Sequence, residues 1–248
     1  MKKIAFLLVG FLFGATQLQA QVTPIDLKTL PLVKQPQPPG PPLTPAPDTS
    51  QWIVTSFAVP GAPTNPNVPP PTDGSASHTV SKSAKIYRVE SHTPSIPSMT
   101  RWDYKQLQAT YLTPGAPPEI DYLPNFIYFI DFSKSDYPDF FWVSPHDYMG
   151  LGDLGGVKVL IFKHKVEIRS GGPSPMQMLS QPHSLDTPME VFAAIDLVNH
   201  RPVMLQVENE LLIYQYPAKP PALTLPKDVA DAFASMQKVL DHARMPSG

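Results

Sequence analysis

His183, Ser184 and Asp186 bring the three residue types of a hydrolytic triad together within four positions of a proline-flanked run, QPHSLDTP. Acyl transfer by such a set needs hydroxyl, imidazole and carboxylate to converge from separate parts of a scaffold. Neighbours on one loop do not converge that way, so the cluster reads as coincidence. A second polar group, Asp139, His146 and Asp147, lies in DFFWVSPHDYMG. It has the residue types for a metal site or for proton transfer, but adjacent residues of an extended chain point to opposite sides. A polar turn is the expected reading. His164 alternates with apolar residues and reads as a strand histidine. Asp121 and Asp131 flank an apolar run, and paired carboxylates are the equipment of glycoside hydrolysis. As strand-end residues they are ordinary. Gly150, Gly152, Gly155 and Gly156 form GLGDLGG, which lacks the GxGxxG order and precedes no helical pattern, so it reads as a hairpin loop. HExxH, GxSxG and the P-loop are absent, and the chain has no cysteine. The expectation is a non-enzymatic protein with no catalytic residues, no metal site and no cofactor.

The aromatic residues carry more information. Trp102, Tyr104, Tyr128, Phe129, Phe141 and Trp142 are the candidate ligand-binding set, and Tyr111, Phe126 and Phe140 add to the same middle region. Such a load builds a large β core. It also suits a curved sheet whose concave face accepts an apolar ligand.

The elements that must position these residues are mostly strands. Trp52 to Val59 (WIVTSFAV) is a short β-rich run, followed by a loop of proline, glycine and asparagine over 60–77. Ala84 to His92 and Met99 to Leu112 alternate polar and apolar residues, the mark of half-exposed antiparallel strands. In the second, Trp102 and Tyr104 share one face, and Arg101, Asp103 and Lys105 the other. Asn125 to Phe132 (NFIYFIDF) is apolar almost throughout and suits a strand covered on both faces. Phe140 to Val143 reads as a short aromatic strand and Val157 to Ile168 as a long one. Met189 to Val198, Pro202 to Glu208 and Leu211 to Tyr216 form a meander, with a tight turn at Asn209. One amphipathic helix closes the chain. Pro226 fits its first turn, Asp228 and Asp231 suit its N-terminal end, and Val229, Phe233, Met236 and Leu240 share a face.

The first twenty residues read as a cleavable signal peptide: Lys2 and Lys3, an apolar run from Ile4 to Phe13, then a more polar stretch to Ala20. The apolar run is too short for a spanning helix, which needs about twenty residues. No later run is long enough either, so no stable membrane span is expected after cleavage. Without cysteine there is neither a lipobox nor a disulfide. The expected address is the bacterial periplasm or the exterior, with the protein free in solution. The net charge of −2 gives no electrostatic argument for nucleic acid. Proline, at 33 residues, crowds the region after the cleavage point, and 21–50 reads as a disordered, polyproline-like tether. Residues 51–248 then form a single β-rich domain.

The segment from Met189 to Pro226 resembles the late hairpins of the lipoprotein-carrier (LolA-like) half-barrel family. In AAIDLVNHRPVMLQVENELLIYQY, followed by LTLP, an aspartate-bearing strand, a turn, a proline-opened strand and a tyrosine-bearing strand follow one another. DYPDFFWVSPHDYMGLGDLGGVKVLIFKHK also looks like strands of secreted relatives. The departure is at the front, where the family places a helix and this chain places proline. The resemblance implies a curved antiparallel sheet, half-barrel-like, here with its amphipathic helix at the C-terminus. It implies a lipid or lipoprotein acyl ligand in the concave face. The alternative function is a structural or interaction module that meets an envelope protein through its sheet edge or proline-rich tail.

Overall fold

Alternation of β-branched and aromatic residues with polar ones builds strand after strand, because each such run has one side to bury. The computed structural model describes residues 22–62, 77–93, 96–111, 115–122, 132, 134–166 and 189–244. The strands are β1 (Thr49–Ala58), β2 (Ser77–Ser83), β3 (Ile86–Thr93), β4 (Ile96–Tyr104), β5 (Leu107–Tyr111), β6 (Glu119–Tyr122), β7 (Tyr148–Leu154), β8 (Val157–Val166), β9 (Met189–Asp196), β10 (Pro202–Val207) and β11 (Glu210–Gln215). One helix, α1 (Lys227–Arg244), follows. The strands make one curved, unclosed antiparallel sheet in the order β6-β5-β4-β3-β2-β1-β11-β10-β9-β8-β7. The β1–β11 pairing joins the first and last strands in the middle, and β6 and β7 are the edges.

Both faces of this sheet are covered, and each has its own core. On the first face Trp52, Val54, Val80, Val89, Leu160, Phe162, Leu205 and Leu212 form a continuous apolar floor. Phe132, Tyr137, Phe140 and Trp142 close over it. Phe132 lies stacked on Tyr87 with ring centroids 4.6 Å apart, and Tyr137 leans on Trp52 at 5.2 Å. On the second face Ile161, Ala194, Met204 and Ile213 pack under Leu27 and Leu30 of the N-terminal segment. Further along the same face, Trp102, Leu107 and Ala109 pack under Val229 and Phe233 of α1. Between these two patches the second face is polar. The Gln51 amide bonds Ser81 Oγ at 2.9 Å, and Arg88 pairs with Glu90 at 2.8 Å.

The N-terminal segment is the main correction to the sequence reading. Residues 22–50 are not a free tether. Leu27 and Leu30 are buried, the Leu27 N–H donates to Gln206 Oε1 at 2.7 Å, and Ala46 is buried on the first face. Val33 forms an antiparallel bridge with Leu151 of the edge strand, its two backbone hydrogen bonds 2.8 and 2.9 Å long. The proline-rich composition conceals a few apolar side chains, and those suffice to bind the segment across the sheet. Gly150 and Gly152 of β7 make the room: a Cβ on Gly150 would lie 2.7 Å from the Val33 carbonyl oxygen, and one on Gly152 2.5 Å from Leu30 Cδ2. These two glycines therefore belong to a strand, and only Gly155 and Gly156 form the hairpin turn.

Three smaller differences have local causes. The run 99–112 is a hairpin, β4 then β5, because Lys105 takes a left-handed φ of 56° without a glycine to announce it. β2 is a strand that opens inside the expected loop, and its sequence SHTVSKS has only Val80 as an apolar signal. Pro138 opens a 3-10 turn, Pro138–Phe140, where a strand over 140–143 was expected. The apolar run 125–132 lies outside the described residues except for Phe132, as do residues 1–21 and the segment with His183, Ser184 and Asp186.

Candidate functional site

The four aromatic candidates among the described residues, Trp102, Tyr104, Phe141 and Trp142, do not form one surface. Trp102 is buried on the second face beneath α1, with the Arg88 guanidinium 5.8 Å from its ring. Tyr104 is half-buried beside it and stacks on Phe233 at 6.5 Å. Trp142 belongs to the core of the first face, its indole N–H donating to the Asp139 carbonyl at 3.1 Å. Phe141, next to it, is 71 % exposed. Tyr128 and Phe129 lie outside the described residues. Trp102 and Tyr104 are thus brought together, and Trp142 is not with them.

The polar candidates separate in the same way. His164 Nδ1 lies 2.8 Å from Asp147 Oδ1, and the Ser144 hydroxyl donates to Asp147 Oδ2 at 2.6 Å. Burial pushes the Asp147 carboxyl up, but the Ser144 and His164 hydrogen bonds outweigh it and hold the group below the usual carboxylate range. Here the carboxylate stands between hydroxyl and imidazole. A triad needs the imidazole in the middle to take the hydroxyl proton, so this arrangement does not activate Ser144. His164 also stacks on Trp142, centroids 5.5 Å apart. Alternation in the sequence predicted His164 as a strand residue and missed its carboxylate partner, which arrives from a turn 17 residues earlier.

Three buried polar groupings lie on the first face, and two of them, at Asp136 and Asp139, tie its cover to the sheet. Lys82 Nζ pairs with Asp136 Oδ1 at 2.9 Å and donates to the Ala46 carbonyl at 2.8 Å. The Tyr87 hydroxyl donates to the same carboxylate, and the Ala46 N–H to its second oxygen at 2.7 Å. Arg101 pairs with Asp103 at 2.9 Å, and Gln108 donates to Asp103 at 3.1 Å. Asp139 is buried, which raises its carboxyl, and it accepts the Tyr214 hydroxyl at 3.1 Å. These groups are bonded mainly to one another, although the buried Arg101 Nε has no hydrogen-bond partner. Among the described residues no group of three or more histidine, aspartate or glutamate side chains could hold a metal ion.

A cleft of about 940 Å³ opens at one end of the sheet, where β1 and β10 begin and β9 and β11 end. Ile53, Val157 and Val203 give it an apolar floor from the second face. Tyr214 and Tyr216 enter from the first. Val22 of the N-terminal segment forms one wall, and Pro217, Ala218 and Pro220, on the way to α1, form another. Polar residues line it as well: Thr49, Ser50, Gln51 and Gln215 from β1 and β11, and Asp196, Asn199 and Arg201 at the β9–β10 turn. That turn is rigid. The Asp196 N–H donates to the Arg201 carbonyl at 2.9 Å, and Asp196 Oδ1 accepts the Val198 and Asn199 N–H groups at 2.8 and 2.6 Å. The Tyr216 hydroxyl donates to the Pro202 carbonyl at 2.9 Å, which fixes the ring beside Arg201. Concave sites of a few hundred to a thousand Å³ are the usual size of small-ligand pockets. Sequence periodicity did not reveal this cleft, because its residues come from strand ends, a turn and the proline-rich segment.

Among the described residues no helix is long and apolar enough to cross a membrane. No family model and no curated protein matches the chain. Among solved structures the chain is similar to the Mycobacterium tuberculosis lipoprotein LppX, with 7% sequence identity and a TM-score of 0.40, over 72% of this chain and 90% of that one.

Proposed function

We propose that the protein is a non-enzymatic, exported binding module, and that it holds a ligand with an apolar body, of the lipid or acyl class, in the cleft at the strand ends. The observation that carries this reading is the cleft itself: about 940 Å³, with Ile53, Val157 and Val203 as floor and a rigid polar turn at its rim. A preformed pocket costs little ordering on binding, so apolar contact converts more fully into affinity. The polar clusters support the same reading, because they are bonded mainly to one another. The signal-peptide pattern of residues 1–20 supports a periplasmic or secreted address. An envelope protein captured by a free proline tail is less well supported, since residues 22–33 are engaged with the chain's own sheet. The test is titration of the delipidated protein with a fluorescent acyl probe. Saturable binding is expected, weakened at least about tenfold by Val203→Trp, which would fill the floor. Absence of saturable binding, or full affinity in the filled variant, contradicts the proposal.

A further inference from the structure

The cleft is lined by two charged side chains, Asp196 and Arg201. They are not equivalent. One oxygen of the Asp196 carboxylate, Oδ1, is used by the N–H groups of Val198 and Asn199. The Arg201 guanidinium lies 5.5 Å from the centroid of the Tyr216 ring, stacked rather than paired. Among the described residues no carboxylate forms an ion pair with it and no acceptor takes its protons. A guanidinium presents five N–H donors in a fixed fork that matches the paired oxygens of a carboxylate or phosphate. Here that fork is held from below by an aromatic face and from behind by a hydrogen-bonded turn. It is therefore half-buried and unspent, in a cleft that also holds the apolar side chains of Ile53, Val157 and Val203.

We infer that Arg201 is the anchor for an oxyanion head group, so that the ligand of this cleft is an anionic amphiphile. A carboxylate or phosphate meets the guanidinium at the β9–β10 turn, and the apolar chain runs along Ile53, Val157 and Val203. The assignment rests on the reading of the cleft as a ligand site and adds the sign and position of the ligand's charge. Tyr216 acts as the positioning residue. Its ring lies 5.5 Å from the guanidinium, and its own hydroxyl is used by the Pro202 carbonyl.

The experiment compares three probes of one chain length on the purified, delipidated full chain: dodecanoate, dodecyl phosphate and the uncharged methyl dodecanoate. Both anions are expected to bind at least about tenfold more tightly than the ester, as a charge-assisted bidentate contact gives. The tighter of the two anions identifies the head group. Arg201→Gln should bring all three to the affinity of the ester, while Arg201→Lys keeps part of the preference. In the wild type, added salt should weaken the anions and leave the ester unchanged, a readout that needs no variant. Equal binding of acid and ester by the wild type, or an anion preference that survives Arg201→Gln, overturns the anchor and leaves the cleft reading standing. Failure of all three probes to bind overturns both.

Discussion

Lys82 and Asp136 show what single residues contribute to this molecule. An ammonium and a carboxylate, each almost wholly buried, meet at 2.9 Å where the first-face cover crosses the sheet. Removing one partner of such a pair leaves the other charge buried and uncompensated, at a cost of roughly 3–5 kcal/mol. Lys82→Met should therefore lower the unfolding free energy by about 3 kcal/mol in urea titrations, and Lys82→Met with Asp136→Leu should recover part of it. His78 adds a pH dependence. Desolvation, with the charge of Arg101 adding to it, holds its imidazole down to about 4. The unfolded imidazole takes its proton near 6.5, so between those values the unfolded state binds more protons. Stability should fall as pH drops from 6.5 to 4. Melting temperatures across that range should decline less steeply in His78→Gln than in the wild type. At this scale the sequence was least legible. Nothing in the spacing of Lys82 and Asp136, or of His164 and Asp147, announces a contact, because each pair joins elements far apart in the chain.

The N-terminal segment and α1 divide the second face between them, and each can be removed by one substitution. At Gly150 the φ of 146° and the 2.7 Å approach to the Val33 carbonyl leave no room for a methyl group. Gly150→Ala should break the Val33–Leu151 bridge, and hydrogen exchange at Val33 and Leu151 should rise while exchange in β9–β11 stays slow. Phe233 is buried against Trp102 and Leu107. Phe233→Ala should cost about 3 kcal/mol, read by urea unfolding, with a rise in Trp102 exposure. Periodicity made α1 legible down to its buried stripe of Val229, Phe233, Met236 and Leu240, because an 18-residue amphipathic pattern is a strong signal. It also gave β8 to β11 within a residue or two. It failed at β2, where a polar strand carries no alternation. It failed at the β4–β5 turn, where a lysine does the work of a glycine. In the 22–33 segment proline masked five apolar anchors, Val22, Ile25, Leu27, Leu30 and Leu32.

Among the described residues the molecule is one curved sheet held from both faces, and a cleft opens at the strand ends. That arrangement separates the tasks of its aromatic residues. Trp52, Phe132, Tyr137 and Phe140 make a core, whereas Tyr216 supports the cleft cation. The antiparallel architecture and its closing helix were legible in the sequence. The cleft was not, since it forms only when the N-terminal segment, the β9–β10 turn and the connector after β11 come together. The central proposal is therefore about place: a ligand at the strand ends rather than under α1 among Trp102 and Tyr104. Backbone amide chemical shifts of the delipidated protein, followed during titration with dodecyl phosphate, test it directly. The account predicts saturating shifts that centre on Val22, Ile53, Arg201, Val203 and Tyr216. Shifts confined to Trp102, Tyr104 and α1, or no saturating shifts at all, would contradict it.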